Sequence, residues 1–175
     1  DPCECRLTLA EVVARFDGRM EYGPRALGNR SILYHGREPD VNQWLNQRLG
    51  RTEFMPFAPV TLWEERHRCY QNLAGAEHTA EFMTITFDCT DFMKESCPAA
   101  VHVDGTARVQ SVPPSDDLLA PVLEQIPVVL NTSLNGAGEP ICGTGVDALS
   151  FLLRHGIDAL VVEDEVREPD RDRPL

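Results

Sequence analysis

Apolar and polar residues alternate over several short stretches and fall at helical spacing over a few others, so strands and helices are interleaved along the chain. TLAEVVARF, residues 8–16, places its apolar side chains on one helical face, and Gly18 follows where a helix commonly stops, which predicts a helix. SILYH, 31–35, predicts a short strand. DVNQWLNQRLG, 40–50, predicts a helix with Asp40 as N-cap, with Val41, Trp44, Leu45 and Leu49 on one face, ending in Arg48 before Gly50. PFAPVTLW reads as a strand entered through prolines, EERHRCYQNL as a short helix, and EFMTITFDCT as an alternating strand. AAVHVDGTARVQSV, 99–112, predicts two strands around a turn at Gly105. IPVVLNTSLN, 126–135, has the continuous apolar run of a buried central strand that breaks into a polar loop. GTGVDALSFLLRHG, 143–156, predicts an amphipathic helix capped by Thr144 and closed by Gly156, and DALVVE a last strand. The charge-alternating, proline-broken tail is expected to fray.

This order implies an α/β (α+β) fold: a twisted mixed sheet covered by helices, with polar loops at strand ends supplying a site. The 175 residues are 42% hydrophobic and 25% charged, the composition of an ordinary globular domain. A net charge of -12 speaks against a general nucleic-acid or membrane-surface binder, since both need a basic footprint. Any bound anion must therefore meet a local positive site. Fifteen of the basic residues are Arg and one, Lys94, is Lys. The six cysteines form no Cys-x-x-Cys pair, and the sequence shows no signal peptide or long apolar run, so a reduced, cytoplasmic setting is expected. The chain opens without a methionine and reads as part of a longer polypeptide.

Three polar loops carry the candidate chemistry. GRMEYGPRALGNRSIL, 18–33, brings Arg25 and Arg30 within five positions, with glycines that let backbone N–H groups approach an anion. One reading is an oxyanion pocket; the other pairs these arginines with surface carboxylates such as Glu21 and Glu38. HVDGTARV sets His102, Asp104, Thr106 and Arg108 on alternate positions, and Val103, Ala107 and Val109 around Arg108 have a buried look. Taken alone, His102 reads as a structural histidine and Asp104 as a turn residue. LNTSLNGAGEP places Asn131, Thr132, Ser133 and Asn135 at the mouth of the sheet, where amides and hydroxyls suit a nucleotide, or else cap a turn. Neither GxxxxGK[ST] nor GxGxxG after a strand is present, and no HExxH or defensible Ser/His/Asp order occurs.

Taken together and in this order, GRMEYGPRALGNRSIL, PFAPV, PAAVHVDGTARVQSV and VVLNTSLNGAGEPICGTGVDAL resemble the C-terminal domain of the NodU/TobZ-type carbamoyltransferases, from about residue 8 to about 163. The resemblance implies a YrdC-like fold over residues 1–165, followed by a charged tail over 166–175. It implies formation of carbamoyl adenylate from carbamoyl phosphate and ATP, the nucleotide entering with Mg2+. It also implies a Kae1-like partner domain, in cis or as a separate chain, which holds the transfer-site metal and carbamoylates a small-molecule hydroxyl, often in secondary metabolism. No resident metal is expected in this chain. By carry-over, Arg25 and Arg108 are the leading, catalytic ligands for carbamoyl phosphate or the ATP phosphates, with Arg30 next. Asn131, Ser133 and Asn135 would hold nucleotide, and His102, Asp104 and Thr106 would line the same cleft.

The chain departs from the family before Pro56, where Leu49 and Met55 stand at positions usually held by Lys and Arg and only Arg51 matches. Arg48 and Arg51 are expected to compensate, Arg48 by redirecting its long stem. The connection from Ser111 to Leu130 is several residues shorter than the usual helix-containing one and lacks the usual Thr-Gly. Two other functions fit the same fold: a non-catalytic nucleotide- or partner-binding module, and a threonylcarbamoyl-adenylate synthase acting in tRNA modification.

Overall fold

The computed structural model describes residues 11–52, 56–163 and 165–169. Among them, nine strands form a seven-stranded sheet in the order β6-β3-β7-β2-β1-β8-β9 and a two-stranded sheet of β4 and β5. The large sheet holds β1 (Val13–Phe16), β2 (Arg30–His35), β3 (Ala58–Leu62), β6 (Gln110–Val112), β7 (Val129–Ser133), β8 (Ala159–Val162) and β9 (Glu165–Arg167). The small one pairs β4 (Thr86–Asp88) antiparallel with β5 (Thr106–Arg108). Pairing in the large sheet is antiparallel except for β1 with β8 and β3 with β6, so the expected mixed α/β class holds.

Strand alternation divides the core in two. Ala14, Ile32, Tyr34, Leu130 and Leu160 face α1 (Val41–Arg48) and α5 (Gly145–His155), through Leu45, Leu49, Phe151 and Leu152. The short helices α2 (Arg66–Cys69) and α3 (Asp91–Ser96) bring Cys69 and Met93 to the same cluster. Val13, Leu33, Val60, Val112, Val129 and Val161 face the other way, onto Leu119 and onto Val122 and Leu123 of α4 (Ala120–Gln125). The shortened connection thus still closes into a helix, and that helix covers this second face.

Several expectations meet corrections. Val13–Phe16 is a strand rather than the end of a helix; residues 8–10 lie outside the described residues. Two adjacent β-branched valines favour extended backbone, and β1 gains ladders on both sides, from β2 and β8, which outweighs helical spacing. The arms around Gly105 are not a hairpin. Pro98–Ala100 is a 3-10 turn, and β5 pairs with β4 while β6 joins the large sheet beside β3. The chain changes sheets at buried Val109, whereas Val103, with its buried look in the sequence, is fully exposed. Of the long strand expected over 81–90, only Thr86–Asp88 forms: Glu81 closes a 3-10 turn begun at His78, and Met83 is left-handed at φ +54. Val166 and Arg167, at the start of the charged tail, belong to β9, which pairs with β8; residues 170–175 lie outside the described residues. Asp40 makes no side-chain cap bond. Thr144 does cap α5, in a reciprocal box with Asp147, and Gly156 closes it at φ +59.

Candidate functional site

A cleft of about 360 Å³ opens where the two sheets meet. Its wall joins three segments: Pro24–Ala26 of the loop after β1, the end of β7 with the glycine-rich turn behind it (Asn131 to Gly138), and Arg108 at the last position of β5. Arg51, Pro56, Phe57 and Met83 complete it. Of the candidates from the sequence, Arg25, Arg51, Arg108, Asn131, Ser133 and Asn135 are brought together here.

Arg108 is half-buried, and its Nε and Nη1 have no partner among the described residues. Burial lowers its pKa from the usual arginine value, and the neighbouring Arg25 charge lowers it further. Arg25 is exposed at the rim, and no carboxylate lines the cleft among the described residues. Two guanidinium groups of like sign without a countercharge repel each other until an anion lies between them. An anion placed between them would relieve that repulsion.

Arg51 is held differently. Its Nη1 donates to Thr132 Oγ1 at 2.6 Å, and its Nη2 donates to the carbonyls of Ser133 and Asn135 at 2.7 and 2.9 Å and to Asn135 Oδ1 at 3.2 Å. Its fork thus braces the polar turn after β7. Ser133 Oγ donates to Asn135 Oδ1 at 2.5 Å, and Asn135 Nδ2 donates to the Glu139 carbonyl at 2.8 Å. Glu139, in turn paired with Arg154 at 2.7 Å, accepts from the Gly136 N–H at 3.3 Å. A Cβ on Gly136 would stand 2.8 Å from that carboxylate, so a larger residue here would push the Glu139 side chain aside and disturb its bond to the Gly136 N–H.

Arg30, Arg48, His102, Asp104 and Thr106, also expected at the site, are not among the described residues that line this cleft. Arg30 is 4% exposed, stacks 3.6 Å from the centroid of the Phe16 ring, and donates to the carbonyls of Asp17, Asn29 and Gly18 at 2.6, 2.8 and 2.9 Å. It ties the loop's two ends together. The alternative pairing with Glu21 or Glu38 fails as well. Glu21 Oε1 instead accepts the N–H groups of Leu27 and Asn29, at 2.7 and 2.8 Å. Arg48 pairs with Asp158 at 2.8 Å and bonds the Gly156 carbonyl, so it is anchored at the far end of α5. Leu49 is fully buried in the core and does not line the cleft; Met55 lies outside the described residues.

His102, Asp104 and Thr106 satisfy one another. Thr106 donates its N–H and hydroxyl to Asp104 Oδ1 at 3.0 and 2.8 Å, and its hydroxyl lies 3.1 Å from His102 Nδ1. Those Thr106 bonds hold the Asp104 carboxyl below its usual pKa. Burial lowers His102; Asp104 opposes that shift and Arg108 adds to it. The turn is a buttress for β5.

Sequence reasoning missed Gln110, Met83 and the brace by Glu21. Gln110 is 2% exposed and joins Leu27 to Asn131. Met83 is buried at φ +54, lines the cleft and donates its N–H to Val109 at 3.2 Å. A left-handed backbone at a bulky residue marks a constrained site, but no sequence signal announces it. Burial pushes the Cys69 and Cys97 thiols up to about 12, which leaves them protonated and unsuited to nucleophilic work. No group of three potential ligands among His, Cys, Asp and Glu clusters among the described residues. None of their helices is long and apolar enough to cross a membrane.

The sequence matches the family described as "Carbamoyltransferase C-terminus" over residues 5–168. This chain belongs to that family. It is 37% identical over 165 residues to the uncharacterized protein MJ1058 of Methanocaldococcus jannaschii, covering 90% of this chain and 26% of that one. It is 35% identical over 159 residues to the nodulation protein NolO of Bradyrhizobium diazoefficiens, covering 86% and 29% respectively. It is 32% identical over 165 residues to a 3'-hydroxymethylcephem-O-carbamoyltransferase of Amycolatopsis lactamdurans, covering 90% and 31%. The chain thus spans about a quarter to a third of these curated relatives. In fold it resembles full-length HypF, solved in a phosphate- and nucleotide-bound form, with a TM-score of 0.67 at 17% identity over 93% of this chain and 24% of HypF. The chain is accordingly a member of the carbamoyltransferase C-terminus family, with a mixed sheet whose fold is shared with part of HypF.

Proposed function

We propose that this domain forms carbamoyl adenylate from carbamoyl phosphate and ATP, for use by a Kae1-like domain that carbamoylates the hydroxyl of a small molecule. The observation that carries the reading is the pair Arg108 and Arg25: two cations at one cleft, one with unpartnered buried N–H groups, and no carboxylate between them. The cephem carbamoyltransferase among the relatives and the phosphate- and nucleotide-bound neighbour in fold agree with it.

In this reading water cleaves the acyl phosphate to carbamate and inorganic phosphate. A carbamate oxygen then attacks the α-phosphorus of ATP, the new O–P bond forms, and pyrophosphate leaves. Arg108 and Arg25 neutralise both polyanions and stabilise the charge that builds on the α-phosphate. The turn braced by Arg51 supplies hydroxyls, amides and backbone N–H groups for the nucleotide. No carboxylate lines the cleft among the described residues, and in this reading Mg2+ enters with the ATP substrate. Arg108's unpaired Nε and Nη1 meet phosphate oxygens, and no protein group must be displaced first.

The test is pyrophosphate release by the purified chain given MgATP and carbamoyl phosphate. Release that requires carbamoyl phosphate supports the reading. Release that instead requires threonine and bicarbonate would assign the chain to threonylcarbamoyl-adenylate synthesis, and ATP binding without release under either condition would make it a binding module.

A further inference from the structure

We infer that the side-chain oxygen of Asn131 selects the amino group of the carbamoyl moiety, and that Gln110 is the positioning residue that aims it. The inference rests on the reading of the cleft as a carbamoyl-phosphate site and names the group that distinguishes this acyl phosphate from others. Asn131 is 1% exposed and lines the cleft from β7. Its Nδ2 donates to the Ala26 carbonyl at 3.1 Å and to Gln110 Oε1 at 2.8 Å. Gln110 Nε2 in turn donates to the Leu27 carbonyl at 2.6 Å.

These contacts decide which way both amides point. The Ala26 and Leu27 carbonyls can only accept, so flipping either amide would set two oxygens face to face. The orientation runs from backbone to Gln110 and from Gln110 to Asn131, and it leaves Asn131 Oδ1 as a fixed acceptor. That oxygen is buried and has no partner among the described residues. A buried acceptor left unpaired is costly, and a site that holds one in place rejects ligands that cannot donate to it.

The rest of the cleft asks for the opposite chemistry. Arg25 and Arg108 present guanidinium donors, which match phosphate and carbonyl oxygens. A phosphate oxygen against Asn131 Oδ1 would add repulsion. Carbamoyl phosphate carries one donor, its amino group. Acetyl phosphate has the same phosphate, carbonyl and outline, with a methyl group that cannot donate.

The experiment measures binding of carbamoyl phosphate, acetyl phosphate and inorganic phosphate to the full chain by calorimetry. Carbamoyl phosphate is expected to bind at least about tenfold more tightly than acetyl phosphate. In Gln110→Met, which keeps chain length but holds neither Leu27 nor Asn131, that ratio should fall toward one while affinity for inorganic phosphate stays unchanged. A purely structural role for Gln110 would weaken all three ligands together and overturn the positioning role. Equal wild-type affinities for the two acyl phosphates would overturn the selection by Asn131 while leaving the carbamoyl-phosphate site intact; no binding of carbamoyl phosphate at all would remove both. The wild-type ratio decides the selection even where the variant fails to fold.

Discussion

Arg30 and Arg48 sit in the protein with every strong contact made to its own carbonyls and to Asp158, whereas Arg108 and Arg25 share a cleft that offers neither of them a carboxylate. All four carry the same charge and fork. The difference lies in what the fold gives them to bond. Arg30 leaves its Nε without a partner among the described residues, but its Nη1 and Nη2 are held by three carbonyls and must break those bonds to reach a ligand, while Arg108, with Nε and Nη1 both unpartnered there, gains bonds when an anion arrives. The first pair supports the loops; the proposed function gives the second pair the chemistry.

The comparison breaks most visibly at Arg108. Arg108→Ala is expected to reduce carbamoyl-phosphate-dependent pyrophosphate release by about a hundredfold or more, the scale of removing one preorganised transition-state contact, with little change in melting temperature because a repelled, half-buried cation is lost. A large drop in stability with activity retained would reverse the roles assigned to the two pairs. Arg30→Ala should do the converse, costing about 3 kcal/mol in denaturant unfolding, since several buried carbonyls lose a charged donor, while the folded fraction keeps its ATP affinity. Arg48→Ala is expected to cost about 1 kcal/mol, as befits a partly exposed pair, and to leave ATP affinity unchanged; weakened ATP binding would restore the compensating role that its position before Arg51 suggests. The smallest effect concerns Asp147. Bonds from the Thr144 hydroxyl and N–H depress its carboxyl pKa. Its contribution is therefore full above the ordinary carboxylate range and disappears as pH falls through the depressed value. Asp147→Asn should flatten that part of the acid-unfolding profile without touching the cleft.

Much of the site was legible because its residues lie in short contiguous motifs. The run VVLN states a buried strand ending in polar side chains, and a sheet interior leaves few other places for it. The helix from Gly145 carries its own cap and stop signals, which act within a few residues. The arginines were harder. Arg25 and Arg30 have similar sequence surroundings, yet one faces the cleft and the other is clamped over Phe16, because β2 begins at Arg30 and turns its side chain to the core. His102, Asp104 and Thr106 read as a polar stripe toward a ligand, but a turn closes that stripe on itself.

The sequence by itself determined the family, the alternation that divides the core between two sheet faces, and the polar character of the turns that meet at the cleft, since periodicity and local turn chemistry are carried by neighbours in the chain. Only the tertiary structure decided that residues 13–16 are a strand, that the chain leaves one sheet for another at Val109, and which arginines have partners. These outcomes depend on groups far apart in sequence: β8 beside β1, Asp158 beside Arg48, and Gln110 holding Asn131. A charge or an amide acquires its role from the donors and acceptors that the fold sets within hydrogen-bond distance, and those distances exist only once the strands are paired.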